Sequence, residues 1–285
     1  MMKLSTGLRL YGIENCPTVS MTATATDNEI REVVKALGLR EPPIVLAANP
    51  VQNHIKISII RRPSNNYGFE GTEKKDGSRN PGLVDLLDRV YLKQYVEDIN
   101  AGKDLKKAII FCRGSNMLGE VFCHLMAATN YQFKDCRDAP FVMNHSSLLP
   151  PTEKVIEDRV SEISLYLSTN KMLMGVDLPN IDIIIFLRPF NHLAALIQGA
   201  GRGGRKRGDG LRSSVQVYQF YNTQDFTSNN REMSADMRRI CESKHCTRAL
   251  LEDYFAGESK SKQRNVKDPH SCCHNCDKAS LSTVN

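Results

Sequence analysis

The heptapeptide Ile181-Asp182-Ile183-Ile184-Ile185-Phe186-Leu187 constrains this chain more than any other stretch. Side chains along a strand alternate between the two faces of the sheet. A strand with a single polar residue must therefore be covered on both faces. That arrangement belongs to parallel sheets flanked by helices rather than to a sheet with one wet face. The surrounding sequence supplies the rest of such a sheet. Apolar runs at 108–112, 141–143, 163–167 and 215–221 read as further strands. Helical patterns lie between them: one opened by Gly114-Ser115-Asn116, one at 153–160 and one at 191–198. A long helix is expected from Leu83 to about Ile99 on the spacing of Leu83, Leu86, Leu87, Val90 and Tyr91. Regular strand–helix alternation predicts an α/β fold with a largely parallel sheet flanked by helices.

The amino-terminal part reads as one further unit. Residues 19–26 are small, β-rich and hydroxyl-rich, and predict a buried strand ending in a polar turn. Thr26 and Glu29 form a capping box. Ile30, Val33, Val34 and Leu37 follow at helical spacing, and Gly38 ends the helix. Pro42-Pro43 marks a boundary. Beyond it a short strand at 44–47, a strand carrying Ile55, Ile57 and Ile59, and a loop or insertion from Ser64 to Asn80 are expected. The expected divisions are 1–42, 43–225, a helical cysteine-rich piece at 226–278, and a tail at 279–285.

Composition narrows the class. A chain of 285 residues with 41% apolar content can bury a sizeable core. A net charge of +6 permits a polyanionic partner. No apolar run approaches the ~18–20 residues that span a membrane, and the amino terminus lacks the apolar centre of a signal peptide. These features predict a soluble intracellular protein with no membrane partner, in a compartment where the nine cysteines stay reduced.

Sites in open parallel sheets lie at the carboxyl ends of strands. The polar clusters Cys112-Arg113-Gly114, Asn144-His145, Thr169-Asn170 and Arg188-Pro189 fall there. The most distinctive cluster is Gln198-Gly199-Ala200-Gly201-Arg202-Gly203-Gly204-Arg205. Two arginines three apart share a face of a helical turn, and the glycines allow close approach of backbone and ligand. Paired guanidinium forks suit a triphosphate; the plain alternative is a basic, solvated Gly-rich loop.

Taken in order, these segments resemble the superfamily 2 helicases, most closely the RecQ family of DNA helicases. Ser20 to Thr26 looks like motif III, Ile109 to Arg113 like motif IV, Asn144-His145-Ser146 like the family's His after a strand, Thr169 to Asp177 like motif V, and Gln198 to Arg205 like motif VI. The resemblance implies a RecA-like helicase C-terminal domain acting 3′ to 5′ on DNA, with ATP and Mg²⁺ as cofactors in the complete protein, in the nucleus. It implies that Arg202 and Arg205 contact the γ-phosphate, with Arg205 as the arginine finger and Gln198 coupling nucleotide to DNA. Asp177 and Gly175 would serve the nucleotide side. Thr22, Thr24, Thr26, Arg113, His145, Thr169 and Asn170 would contact nucleic acid or couple it to ATP. The family pattern is departed from at Lys206-Arg207, where an acidic residue is usual, and at Ser168 and Leu173 of motif V.

Five cysteines fall at or after Cys241. Four thiolates including a C-x-x-C pair make a tetrahedral zinc site, against the alternative of free thiols. Cys241, His245, His270 and His274 are competing ligands. The run C-T-R-A-L-L-x-x-Y-F followed by C-C-H-N-C is similar to the RecQ-family zinc subdomain, and that resemblance implies Cys246, Cys272, Cys273 and Cys276 as the Zn²⁺ ligands. Leu250, Leu251, Tyr254 and Phe255 would pack on the core. The sequence contains neither G-x-x-x-x-G-K-[ST] nor D-E-x-H. The expectation is the C-terminal half of a longer enzyme, whose first RecA-like domain would be its partner; the alternatives are a non-catalytic DNA-binding or interaction module, or a fragment of an RNA helicase.

Overall fold

The computed structural model describes residues 19–22, 24–39, 42–46, 50–133, 137–173, 178, 180–204, 213–227, 232–256 and 272–277. Its centre is a six-stranded, all-parallel sheet: β1 (Ile55–Arg61), β4 (Lys107–Phe111), β5 (Phe141–Asn144), β6 (Leu165–Ser168), β7 (Ile181–Phe186) and β8 (Val215–Tyr221), ordered β1-β8-β7-β4-β6-β5. The helices are α1 (Asp27–Leu37), α2 (Leu83–Leu87), α3 (Lys93–Asn100), α4 (Ser115–Ala128), α5 (Pro150–Asp158), α6 (Leu193–Ala200), α7 (Ala235–Glu242) and α8 (Thr247–Ala256). A π-helical stretch, Asp88–Leu92, joins α2 to α3 without a break, so the expected long helix is present.

The sheet is covered on both faces, as the apolar β7 requires. Along β4, Ile109 and Phe111 enter one core layer with Leu196 of α6, Met237 of α7 and Leu251 of α8. Ala108 and Ile110 enter the other, against α2, the π-helical stretch and α4 through Leu87, Leu92 and Leu118. Phe111 stacks on Phe186 of β7, ring centroids 5.0 Å apart. Each such buried side chain contributes up to about 1.5–3 kcal/mol. The one polar residue of the strand, Asp182, accepts the Lys107 amide at 3.3 Å.

Local signals explain the element ends. Thr26 caps α1 with its hydroxyl accepting the Glu29 amide, while the Glu29 carboxylate accepts the Thr26 amide at 2.7 Å. Gly38 closes α1 at φ 63°, a left-handed conformation that favours glycine.

Two expected strands are not formed. Over 19–26, of which Ala23 lies outside the described residues, the chain has no strand; Val19 is 81% and Met21 90% exposed. No other strand among the described residues pairs with it. The Thr22 hydroxyl instead donates to the Thr24 carbonyl and accepts its amide, a local pairing that competes with a ladder. Residues 44–46 are likewise irregular and exposed, and Ala47 is not described. The polar stretch from Ser64 to Asn80 holds a short turn and a two-stranded hairpin, β2 (Thr72–Glu73) with β3 (Arg79–Asn80).

Candidate functional site

The two edges of the sheet carry different chemistry. At the carboxyl edge, β4 ends before Arg113, β5 before His145 and β6 before Thr169. Arg113 is exposed and donates to Asn191 at 3.4 Å. The His145 carbonyl accepts Lys171 Nζ at 3.4 Å, and the Ser168 hydroxyl ties the end of β6 to the Asn144 carbonyl at 2.8 Å. Thr169 is half-buried; Asn170 is exposed and opens a 3₁₀ turn, Asn170–Leu173. Arg113, His145, Thr169 and Asn170 therefore share one rim.

The segment from Gln198 to Arg202 lies at the opposite edge. Helix α6 starts beyond the carboxyl end of β7 and runs back, so its end meets the start of the sheet: the Gly204 amide donates to the Ile181 carbonyl at 3.1 Å. The expectation of a strand-end position is thus corrected for Arg202, which follows the helix that returns from that edge. It is also in a turn rather than on a helical face, because α6 ends at Ala200. Gly203 and Gly204 are required by protein packing. A Cβ at Gly203 would lie 2.5 Å from Val215, and one at Gly204, where φ is +57°, would lie 2.5 Å from His54.

Three motif segments meet around α6. Gln198 Nε2 donates to Thr24 Oγ1 at 3.2 Å. Arg202 donates to the Leu173 carbonyl in the segment after β6. Burial lowers the Arg202 pKa, which still leaves an arginine charged at neutral pH. The β6–β7 connection thereby links the two edges, with Thr169 at one end and Leu173 against Arg202. Thr22 sits in the turn with Thr24, and Thr26 is committed to capping α1. Gly175, Asp177 and Arg205 lie outside the described residues.

The cysteines form a second cluster. The sulfurs of Cys246, Cys272, Cys273 and Cys276 all lie within 4.8 Å of one another, with Cys246–Cys272 at 3.4 Å and Cys273–Cys276 at 3.6 Å. Tetrahedral zinc with Zn–S near 2.3 Å separates its sulfurs by about 3.8 Å. The spacing and the all-sulfur donor set fit that ion. Hydrogen bonds from Cys246 and Cys272 hold the Cys273 thiol far below the usual range, the same sharing holds Cys272 up, and burial pushes Cys276 up to about 12.

Cys241, His245 and His274 lie outside the cluster. Cys241 is buried beside Met237, outside the cluster. His274 spends Nδ1 accepting the Ile59 amide at 3.3 Å. His245 is exposed and outside the cluster, and His270 lies outside the described residues.

The cluster is fastened to β1. Cys273 bridges Ile57, and Lys56 pairs with Asp277 at 2.7 Å. Arg248, 4% exposed, donates to the Gln52 and Ile55 carbonyls at 2.9 and 2.7 Å. Leu250, Leu251, Tyr254 and Phe255 of α8 pack on the core. Sequence reasoning named Arg248 as part of a motif but missed its role as a clamp, which needs the position of β1.

Within this parallel sheet flanked by helices, residues 90–207 match the family described as helicase conserved C-terminal domain. No curated protein matches the sequence. Among solved structures, a variant of S. cerevisiae Dbp5 bound to RNA and ADP BeF3 superimposes with a TM-score of 0.51 at 14% identity, over 86% of this chain and 58% of that one. The DUF1998 helicase MrfA bound to DNA gives 0.43 at 16% identity over 63% and 20%. Mycobacterium smegmatis Lhr bound to ssDNA and AMP-PNP gives 0.41 at 16% over 60% and 20%. The chain thus spans between a fifth and just over half of these proteins. No helix among the described residues is long and apolar enough to cross a membrane.

Proposed function

We propose that this chain supplies the second RecA-like half of a RecQ-type, ATP-dependent helicase that moves 3′ to 5′ on DNA in the nucleus, with residues 1–42 belonging to the first half. The observation that carries this reading is the union of the helicase C-terminal sheet with a four-cysteine cluster fastened to β1. ATP with Mg²⁺, held mainly by a first RecA-like domain, supplies the phosphoryl group transferred to water. Arg202, with Arg205, offsets charge on that group. Gln198, bonded to Thr24, and Arg202, bonded to the segment that begins at Thr169, tie nucleotide-side residues to the nucleic-acid rim of Arg113, His145, Thr169 and Asn170. Asp177 and Gly175 belong to the nucleotide side of the same reading. Cys246, Cys272, Cys273 and Cys276 would hold zinc, which cross-links α8 to the sheet.

The test joins the chain to a P-loop-bearing RecA-like domain and measures ATP hydrolysis with single-stranded DNA or RNA. DNA should stimulate more strongly, and Arg205→Ala should cost on the order of 10³-fold or more in rate. The chain alone should not hydrolyse ATP; nucleic-acid-stimulated turnover by it would overturn the division of the site. Stronger stimulation by RNA would favour the second reading, an RNA helicase such as the RNA-bound Dbp5 structures bring to mind.

A further inference from the structure

Arg188, of the Arg188-Pro189 cluster, is absorbed by none of the roles above, yet it lines a cavity of about 150 Å³ at the carboxyl edge. The cavity lies beyond β1 and β7 and is lined by Arg62, Ser64, Asn65, Gly68, Glu120 and Arg188 among others. Its hydrogen-bond inventory is unbalanced. The single amide oxygen of Asn65 accepts from Arg62 Nη1, from Asn222 Nδ2 at 3.2 Å and from Arg188 Nη2 at 3.5 Å. Arg62 gives Nη2 to Asp225 at 2.6 Å. The Nε atoms of both arginines are buried and have no partner. Arg62 is only 6% exposed, so its spare donor has little access to bulk water. A guanidinium has five N–H donors and no acceptor. Two of them converging on one amide oxygen and one carboxylate leave a surplus of donors, and an unmade buried hydrogen bond is costly.

A tetrahedral oxyanion in the cavity would add acceptors beside the overcommitted Asn65 oxygen, and paired guanidiniums suit it. The same edge continues toward the nucleic-acid rim. Arg188 follows β7 and Arg113 follows β4, adjacent strands, and Arg113 reaches Asn191 just beyond Arg188. Across the sheet, Arg62, Arg188 and Arg113 mark the ends of β1, β7 and β4, a span of three strand spacings or about 14 Å.

We propose that the Arg62–Arg188 cavity is a phosphoryl-binding site that extends the carboxyl-edge track and takes a backbone phosphate of the bound nucleic acid. This rests on the reading of that edge as nucleic-acid-binding. Glu120 on the rim is the one lining carboxylate, and it opposes the ligand.

The test uses the full chain with Arg188→Gln and Glu120→Gln, leaving buried Arg62 intact, with melting curves to confirm folding. Two probes are used: a labelled single-stranded oligonucleotide across a salt series, and inorganic phosphate followed by its effect on melting temperature. Arg188→Gln should weaken oligonucleotide binding by about tenfold and reduce the salt slope by about 0.7, one phosphate contact on a single strand. Glu120→Gln should tighten binding by about twofold. Inorganic phosphate should stabilise the parent chain and not the Arg188→Gln variant. If phosphate stabilisation depends on Arg188 while the oligonucleotide slope does not, the cavity binds phosphate from solution and the nucleic-acid assignment falls. A parent chain that binds no oligonucleotide, yet shows the Arg188-dependent phosphate effect, overturns the edge as a nucleic-acid track and keeps the cavity. Unchanged oligonucleotide slope and unchanged phosphate response in Arg188→Gln overturn the site itself.

Discussion

Gln198 and Thr24 are 174 residues apart in sequence, and the Gln198 amide donates to the Thr24 hydroxyl at 3.2 Å. Through this bond the irregular segment before α1 is held against the helix that leads to Arg202. Gln198→Ala and Thr24→Val should each cost about 0.5–1.5 kcal/mol of stability and should be non-additive when combined. Hydrogen exchange across α1 should accelerate in both. Additive costs with unchanged exchange would show that the two side chains do not interact in solution.

Gly204 is expected to be intolerant of any side chain. Gly204→Ala combines a φ of +57° with a Cβ placed 2.5 Å from His54 and 2.7 Å from the Ser213 carbonyl. A loss of about 1–3 kcal/mol in denaturant unfolding is expected. A neutral substitution would mean that the turn after Arg202 relaxes freely.

Arg62 and Asp225 form an ion pair at 2.6 Å, with side chains 4% and 1% exposed. Burial lowers the Arg62 pKa, while Asp225 counteracts that shift. Asp225→Ala should cost about 3–5 kcal/mol, because it leaves a buried guanidinium short of a counter-charge. Replacing both partners with apolar residues should cost much less. Equal costs for the single and double replacements would argue against this account.

Burial raises the pKa of Tyr91 and Tyr95 and pushes Tyr166 up to about 12, against an ordinary value of 10.0. These are groups raised in the folded state. Their contribution is whole below pH 10 and is lost as pH rises through the folded values. Alkaline absorbance titration should show a late tyrosine fraction, and the melting temperature should fall across the same window. A single ordinary tyrosine transition with flat stability would contradict it.

Elemental analysis should find one zinc per chain. Cys276→Ser or chelation should lower the melting temperature and release α8 first, as read by exchange at Leu250 and Leu251. A metal-free chain of unchanged stability would sink the assignment.

Much of this was legible in sequence because the signals are local or strictly periodic. The apolar run of β7 demanded helices on both faces, and the Thr26–Glu29 box and Gly38 announced both ends of α1. Residue type and spacing announced a metal-type cysteine cluster but left Cys241 and three histidines in competition; the four-cysteine set came from the resemblance to the RecQ-family zinc subdomain. The residues at 19–26 misled because β-propensity is realised only against a neighbouring strand, and none among the described residues lies beside them. The position of Arg202 misled for a different reason. Strand-end logic says where loops emerge, whereas α6 carries its terminus back across the sheet. The Arg248 clamp and the Arg62–Asp225 pair join residues more than 160 apart, so no local pattern could announce them.

The cysteine turn has one more consequence, which concerns how the molecule fails. β1 is an outer strand, and its Ile57 and Ile59 amides are met by the Cys272 carbonyl and the His274 ring at 3.5 and 3.3 Å. Loosening the turn by oxidation or chelation would uncover a row of donors and acceptors ready to pair with another chain. The first sign of damage should then be clumping of still-folded molecules, so the turn guards solubility as much as shape.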